Sequence, residues 1–93
     1  MAASNSFDNT KVVSQEFMQY LSGEISKEWK ELGRYLNLTD AQLNHIEADN
    51  PSHSKERIYQ MLLLWKQSNG YKATYKVLND ALSKADRSDL VKR

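Results

Sequence analysis

Helical periodicity is the feature that most restricts how this chain can fold. From about Thr10 onward, apolar residues recur at intervals of three and four positions, and only three glycines and one proline interrupt the chain. This spacing puts the apolar side chains on one face of each helix, and so few breaking residues leave little room for the turns of a sheet. The sequence therefore predicts an all-α fold, a compact antiparallel bundle of six helices.

Capping and turn residues predict where these helices begin and end. The clearest start is Thr39, which is spaced to form a capping box with Gln42, and the clearest end is the turn at Asn50 and Pro51. Gly23 is the expected stop of the first helix. The six predicted helices run from about Thr10 to Leu21, from the N-cap Ser26 to Leu36, from the N-cap Thr39 to Ala48, from Ser52 or Ser54 to Asn69, from about Lys72 to Ser83, and from about Arg87 to Lys92.

Both tryptophans are predicted to be core residues rather than walls of a ligand cage. Trp29 and Trp65 each lie on the apolar stripe of their own helix, where packing is the simpler interpretation. The other predicted core positions are Val13, Phe17, Tyr20 or Leu21, Ile25, Leu32, Leu36, Leu43, Ile46, Ile58, Met61, Leu62, Ala73, Val77, Leu78, Ala81, Leu82 and Leu90.

The length and composition indicate one domain that performs no chemistry. Residues 1–9 are predicted to be a flexible N-terminal segment, and residues 10–93 the folded domain. Without cysteine there is no disulfide or thiolate ligand, and neither His45 nor His53 has a matching set of metal ligands. No membrane span, signal-peptide core, phosphate loop or catalytic motif occurs. We therefore expect a cytoplasmic domain without a metal, a cofactor or enzymatic activity.

The charge distribution is uneven along the chain although the net charge is only +1, which argues against a dominant nucleic-acid surface. Residues 39–50 contain three acidic residues, Asp40, Glu47 and Asp49, and no lysine or arginine, whereas residues 71–93 contain six basic and three acidic residues. For any single charge a solvated face is the simpler interpretation. Together the two regions predict head-to-tail contacts between molecules, in which charge steers association and sets register.

Two further features of the sequence suggest a protein interface. Lys30 and Arg34 stand four apart on the second helix, where like charges destabilise an isolated helix by about 0.2–0.5 kcal/mol. This placement favours an acidic partner, unless Glu31 and water relieve the repulsion. Tyr35 and Tyr71 are candidate exposed aromatics at contact sites, although half-burial of either is an alternative.

Three stretches of the sequence resemble the death domain. They are EWKELGRYLNLTDAQLNHIE from Glu28, MLLLWK from Met61 and ATYKVLNDAL from Ala73. Their order and spacing are more specific than any one motif, and they cover most of the predicted fold. The residues that match core positions of the family are Trp29, Leu32, Leu36, Leu38, Ile46, Leu62, Trp65, Leu78 and Leu82. Within the family, the chain is most similar to the Fas-associated adaptors.

This resemblance implies a six-helix Greek-key bundle that assembles with other death domains, including further copies of itself, in apoptotic or inflammatory signalling. Arg34 lies where these adaptors have a partner-contacting arginine. The expected first contact joins Lys30, Arg34 and Tyr35 to helices one and four of a neighbour. The expected second contact joins Lys66, Tyr71 and Lys72 to Asp86 and Arg87 of another copy.

Several alternatives remain open at this point. The chain is similar enough to receptor members of the family to be the cytoplasmic death domain of a receptor. The death-effector and caspase-recruitment subfamilies share the fold, but the Trp65–Lys66 pair at the end of helix four favours the death domain. A helix-turn-helix that binds nucleic acid is disfavoured, because the third helix is acidic and a recognition helix must approach phosphates.

Overall fold

The computed structural model describes residues 7–93, and these residues form a helical bundle. The helices are α1 (Gln15–Glu24), α2 (Trp29–Tyr35), α3 (Asp40–Asp49), α4 (Ser54–Asn69) and α5 (Tyr75–Lys84). Two short 3-10 helices follow α4 and α5, at Gly70–Lys72 and Ser88–Leu90. Extended pairing within the described range is confined to one antiparallel bridge, between Val12 and Thr74. The predicted all-α class is confirmed, with a single 3-10 turn in place of the sixth helix.

The predicted start of α1 at Thr10 is wrong, because the preceding residues are paired with another segment. The N–H of Val13 donates to the carbonyl of Ala73 at 2.9 Å, and the N–H of Tyr75 donates to the carbonyl of Lys11 at 3.0 Å. Ser14 then caps the helix by accepting a hydrogen bond from the N–H of Phe17. At the other end Gly23 does not stop α1, which continues to Glu24.

Two more predicted helix starts are wrong. The residue before α2 is Glu28, so Ser26 is not its N-cap. Thr74 caps α5, which therefore begins after the 3-10 helix rather than at Lys72. The capping box of α3 is confirmed in both directions, since Thr39 and Gln42 each accept a hydrogen bond from the other's N–H.

Two helices end in a left-handed residue that is not glycine. Asn37 has φ 69° after α2, and Asp86 has φ 63° after α5. In both turns the N–H of the following residue donates a hydrogen bond to a carbonyl in the last turn of the helix. Leu38 donates to the carbonyl of Gly33, and Arg87 donates to the carbonyl of Leu82. These are Schellman motifs, and they satisfy carbonyl groups that a helix end otherwise leaves unpaired.

Most predicted core residues are buried, including Trp29 and Trp65. Of the alternatives Tyr20 and Leu21, Leu21 is the buried one. Val77 is wrongly placed in the predicted core, because 42% of it is exposed on the outer face of α5. Tyr75 is buried instead.

The packing of the helices decides which charged faces meet. Helix α1 packs mainly on α4, while α2 packs on α3, α4 and α5. A Cβ atom on Gly33 would lie 2.6 Å from a methyl carbon of Leu43, which is fully buried and has little space to move. Gly33 thus permits α2 and α3 to approach closely, and this brings their charged faces together.

Residues 1–9 were predicted to be a flexible segment. Residues 1–6 lie outside the described residues, and residues 7–9 are described. The ring of Phe7 meets that of Tyr75 edge-on at 5.0 Å, and the N–H of Lys76 donates to the carbonyl of Asn9 at 2.8 Å. Residues 7–9 therefore lie against the start of α5. No helix in the described part of the chain is both long and apolar enough to cross a membrane.

Candidate protein interface

The basic residues of α2 are paired with acidic residues of α3. The Nζ of Lys30 donates to a carboxylate oxygen of Glu47 at 2.7 Å and to the side-chain oxygen of Asn44 at 3.1 Å. The Nε of Arg34 donates to the carboxylate of Asp40 at 2.8 Å. The repulsion expected between Lys30 and Arg34 is thus offset by α3.

These two ion pairs differ in how open they are to solvent. The hydrogen bond from Lys30 holds the pKa of Glu47 below its usual range, and Lys30 lies 5.9 Å from the ring centroid of Trp29. The side chains of Arg34 and Asp40 are 53% and 69% exposed, and one nitrogen of Arg34 makes their bond. Tyr35, 40% exposed, follows Arg34. Arg34, Tyr35 and Asp40 therefore form the more accessible end of this face.

Asp49, the third acidic residue of the predicted cluster, lies at the C-terminal end of α3. Its carboxylate is 3.3 Å from the Nε2 of His45, one turn earlier on the same helix, and both side chains are exposed. This pair is ionic only when His45 is protonated.

Arg87 joins three parts of the fold through its guanidinium group. Its Nε and Nη2 donate to the two carboxylate oxygens of Asp89, each at 3.0 Å. Its Nη1 donates to the carboxylate of Glu28 and, at 3.0 Å, to the main-chain carbonyl of Glu24. The C-terminal 3-10 turn is thereby tied to the end of α1 and the start of α2.

The pKa values in this cluster follow from those hydrogen bonds. Burial acts to raise the pKa of Glu28, but the hydrogen bonds from Arg87 and from main-chain N–H groups outweigh it and hold that pKa below its usual range. The pKa of Asp89 is lowered by the same guanidinium, and the two carboxylates raise the pKa of Arg87. All three groups are therefore charged over the physiological pH range.

The α4–α5 connection places Lys66, Tyr71 and Lys72 beside an apolar groove. Tyr71 is 81% exposed, and Lys72 is also exposed. The groove lies between α1 and α4 and has a volume of about 670 Å³. Its apolar walls include Val12, Met18, Tyr59 and Leu63. This groove was not predicted from the sequence, in which only the spacing of Tyr59 and Leu63 on α4 indicates it.

Within residues 7–93, no group of three or more His, Cys, Asp or Glu side chains is placed so that it could hold a metal ion. The candidate site is therefore the surface of the bundle, which carries charged patches and an apolar groove.

The family model described as "Death domain" matches residues 15–93. The chain belongs to the death domain family. It is a protein–protein interaction module, because this family mediates homotypic contacts between death domains and is an interaction fold rather than a class of enzyme. The resemblance seen in the sequence is confirmed.

Individual proteins similar to this death domain come from several contexts. Human receptor-interacting serine/threonine-protein kinase 1 is 34% identical over 87 residues, which are 91% of this chain and 13% of that protein. Human THO complex subunit 1 is 34% identical over 80 residues, 86% of this chain and 12% of that protein. The bovine FAS-associated death domain protein is 29% identical over 65 residues, 70% of this chain and 31% of that protein. The chain thus spans less than a third of each of these relatives.

The structure brings the predicted contact residues of this death domain into three places. Lys30, Arg34, Tyr35, Asp40 and Glu47 lie together on the α2–α3 face, with Asp49 at the far end of α3. Lys66, Tyr71 and Lys72 lie at the α4–α5 connection. Asp86 occupies a left-handed position that ends α5, and the guanidinium of Arg87 is engaged within the molecule. Their contacts with partners stay predictions.

Proposed function

We propose that this death domain is an adaptor-type module that binds other death domains, and further copies of itself, in apoptotic or inflammatory signalling in the cytoplasm. The observation that carries this proposal is the open Arg34–Asp40 pair, within a family of homotypic binders. The FAS-associated protein and tumor necrosis factor receptor superfamily member 10B of the mouse, 35% identical over 65 residues, support a role beside death receptors.

The proposed primary contact uses the exposed end of α2. An acidic side chain of a neighbour displaces Asp40 from Arg34 at little cost, because an exposed pair contributes only about 0–1 kcal/mol. Tyr35 then supplies apolar contact area beside the new ion pair. The proposed secondary contact joins Lys66, Tyr71 and Lys72 to the exposed carboxylate of Asp86 in another molecule.

The module itself is proposed to carry no enzymatic activity, cofactor or nucleic-acid site. The absence of a nucleic-acid site is supported by the acidic residues of α3, because their carboxylates repel the phosphates of a nucleic acid. An adaptor is proposed on the resemblance of the sequence to the Fas-associated adaptors, and the cytoplasmic domain of a receptor is the alternative, which the 35% identity to the mouse receptor over 65 residues supports.

The test is a pull-down with Arg34→Glu, using the immobilised death domains of human receptor-interacting kinase 1 and the bovine FAS-associated protein. We expect binding to fall about tenfold or more, because the substitution places a carboxylate opposite the partner's acidic residue. Lys84→Glu is the matched control, since Lys84 is an exposed lysine at the end of α5.

Circular dichroism and thermal unfolding of both variants complete the experiment. Both should keep the helicity and melting temperature of the parent. If Arg34→Glu binds as well as Lys84→Glu does, the α2 surface is not the contact. If it loses folding and binding together, Arg34 is structural.

A further inference from the structure

Asn69 and Gly70 form the only asparagine–glycine pair in the sequence, and they lie at the end of α4. Both residues are exposed. Gly70 has φ 58°, and a Cβ atom placed on it would meet no other atom within 4 Å. The surroundings of Gly70 are thus open, and no neighbouring side chain crowds the side on which a Cβ atom would lie.

This pair has the groups for a cyclisation within the chain. The main-chain nitrogen of Gly70, once its proton is lost to hydroxide, attacks the Cγ of Asn69 and closes a succinimide ring, and the side-chain nitrogen leaves as ammonia. Glycine favours the attack because it has no Cβ beside the nitrogen. Water then opens the ring at either carbonyl, which gives aspartate or isoaspartate. The net reaction consumes water and releases ammonia, so no further reactant is needed.

Two hydrogen bonds restrain this reaction in the intact helix end. The Nδ2 of Asn69 donates to the carbonyl of Trp65 at 2.8 Å, and the N–H of Gly70 donates to the carbonyl of Lys66. Both bonds must open before the amide can turn towards the attacking nitrogen. They belong to the last turn of α4, and the ends of helices open locally more often than the whole domain unfolds. The reaction therefore runs slowly, from a locally opened turn.

The other asparagines in the described part of the chain lack this combination. Asn50 precedes Pro51, whose nitrogen has no proton to lose. Asn79 lies inside α5, and its side chain bonds both the N–H and the carbonyl of Lys92. Each of the remaining three precedes a residue whose Cβ crowds the nitrogen, and these are Asn9, Asn37 and Asn44.

We propose that Asn69 is a site of spontaneous deamidation, which gives the end of α4 a negative charge without an enzyme. The product carboxylate has no proton to donate to the carbonyl of Trp65, and it lies at the negative end of the helix dipole. It is also three positions from Lys66, whose ammonium group forms no ion pair within residues 7–93. The last turn of α4 is therefore loosened, and Lys66 gains an acidic neighbour.

The consequence of this change for binding rests on the secondary contact proposed above. In that contact Lys66 and Tyr71 meet Asp86 of another molecule, and the new carboxylate competes with Asp86 for Lys66. Isoaspartate also lengthens the main chain before Gly70, which displaces Tyr71. Deamidation is thus a slow, one-way weakening of the secondary contact as the protein ages.

The modification is tested by incubating the folded domain at neutral and alkaline pH and digesting it with trypsin. Residues 67–72 come off as a single peptide, because Lys66 precedes it and Lys72 ends it. We expect this peptide to gain the mass difference between an amide and an acid, in two chromatographic forms. The gain should be faster at alkaline pH, and faster than in the peptides that contain Asn44 and Asn79.

Asn69→Gln is the matched control, because it keeps the amide but would have to close a larger, less favourable ring. A sample digested without incubation gives the background. The proposal is overturned if the parent gains mass at residues 67–72 no faster than at Asn44 and Asn79, or no faster than Asn69→Gln does.

Light scattering of Asn69→Asp, which carries the product side chain, measures the consequence for binding. Self-association should weaken about threefold, as for the loss of an exposed ion pair, and Asn69→Gln should associate as the parent does. If Lys66→Glu weakens association and Asn69→Asp does not, deamidation leaves the contact intact and its consequence is overturned. If neither variant weakens association, the secondary contact itself fails, while the mass of residues 67–72 still decides the modification.

Discussion

Arg34 and Arg87 were both predicted to contact a partner, yet the structure uses them differently. Arg34 makes one side-chain hydrogen bond within residues 7–93, to an aspartate that is 69% exposed. Arg87 donates four, to Asp89, to Glu28 and to a main-chain carbonyl, and its side chain is only 23% exposed. One arginine is available to a neighbour, and the other holds chain segments together.

Burial and the number of hydrogen bonds thus distinguish a charge that stabilises the fold from a charge that is open to a partner. An exposed pair exchanges readily with water or with another carboxylate, so its net contribution is small. When one partner of a mostly buried pair is removed, the charge that remains is poorly solvated and uncompensated. Substitutions at Arg87 should therefore lower mainly the stability of the fold, whereas substitutions at Arg34 should lower mainly the binding of a partner.

Replacing Arg87 should give the largest effect of this comparison. We expect Arg87→Met to lower the free energy of unfolding by about 2 kcal/mol, because Glu28, 17% exposed, loses its partner and the C-terminal turn loses its link to α1. Urea unfolding followed by circular dichroism measures it. Arg34→Met is the control, and should stay within about 0.5 kcal/mol of the parent. Equal losses in the two variants would remove the distinction.

The pH dependence of stability should show the Arg87 cluster as well. The pKa of Glu28 is lower in the folded chain than its ordinary value of 4.5, so the folded state favours the ionised form. This contribution to stability is complete above about pH 5, and it is lost as the pH falls through the lowered pKa.

A Glu28→Gln variant isolates this contribution. Its free energy of unfolding should be lower than that of the parent above about pH 5, and the difference should shrink towards about pH 3. Urea unfolding at a series of pH values measures the difference. If the difference in free energy of unfolding between Glu28→Gln and the parent stays constant with pH, the pKa of Glu28 is the same in the folded and unfolded chains.

Much of the fold was predictable because it depends on local spacing. The stripe of α4 and the capping box at Thr39 are contained within a few residues, and both are confirmed. The helix starts were misplaced where a distant partner intervenes, as when Ala73 pairs with Val13 and delays α1 to Gln15. The two Schellman turns carry asparagine and aspartate where glycine is usual, so the sequence signal there was weak.

The charged surface was less predictable, because its pairs join residues far apart in the chain. Lys30 and Glu47 are 17 positions apart, and Glu28 and Arg87 are 59 apart. The charge count predicted an acidic third helix, and Lys30 and Arg34 were predicted to favour an acidic partner, but the close approach at Gly33 lets α3 supply that partner within the molecule. The charges of α2 and α3 thus act first within the molecule, and on this face the open end at Arg34 remains for a neighbour.

A double-mutant cycle on each of the two ion pairs measures the coupling free energy between its partners, which is the smallest effect expected here. For Arg34 and Asp40, the coupling free energy from Arg34→Met, Asp40→Asn and the double variant should be about 0.2–0.5 kcal/mol, and should decline as salt is added. For Arg87 and Glu28, it should be about 1 kcal/mol or more and depend less on salt. A coupling at Arg34 as strong and as salt-resistant as that at Arg87 would mean that Asp40 holds the arginine firmly. A partner would then have to break a structural pair to reach it, and the α2 surface would lose its advantage as the first contact.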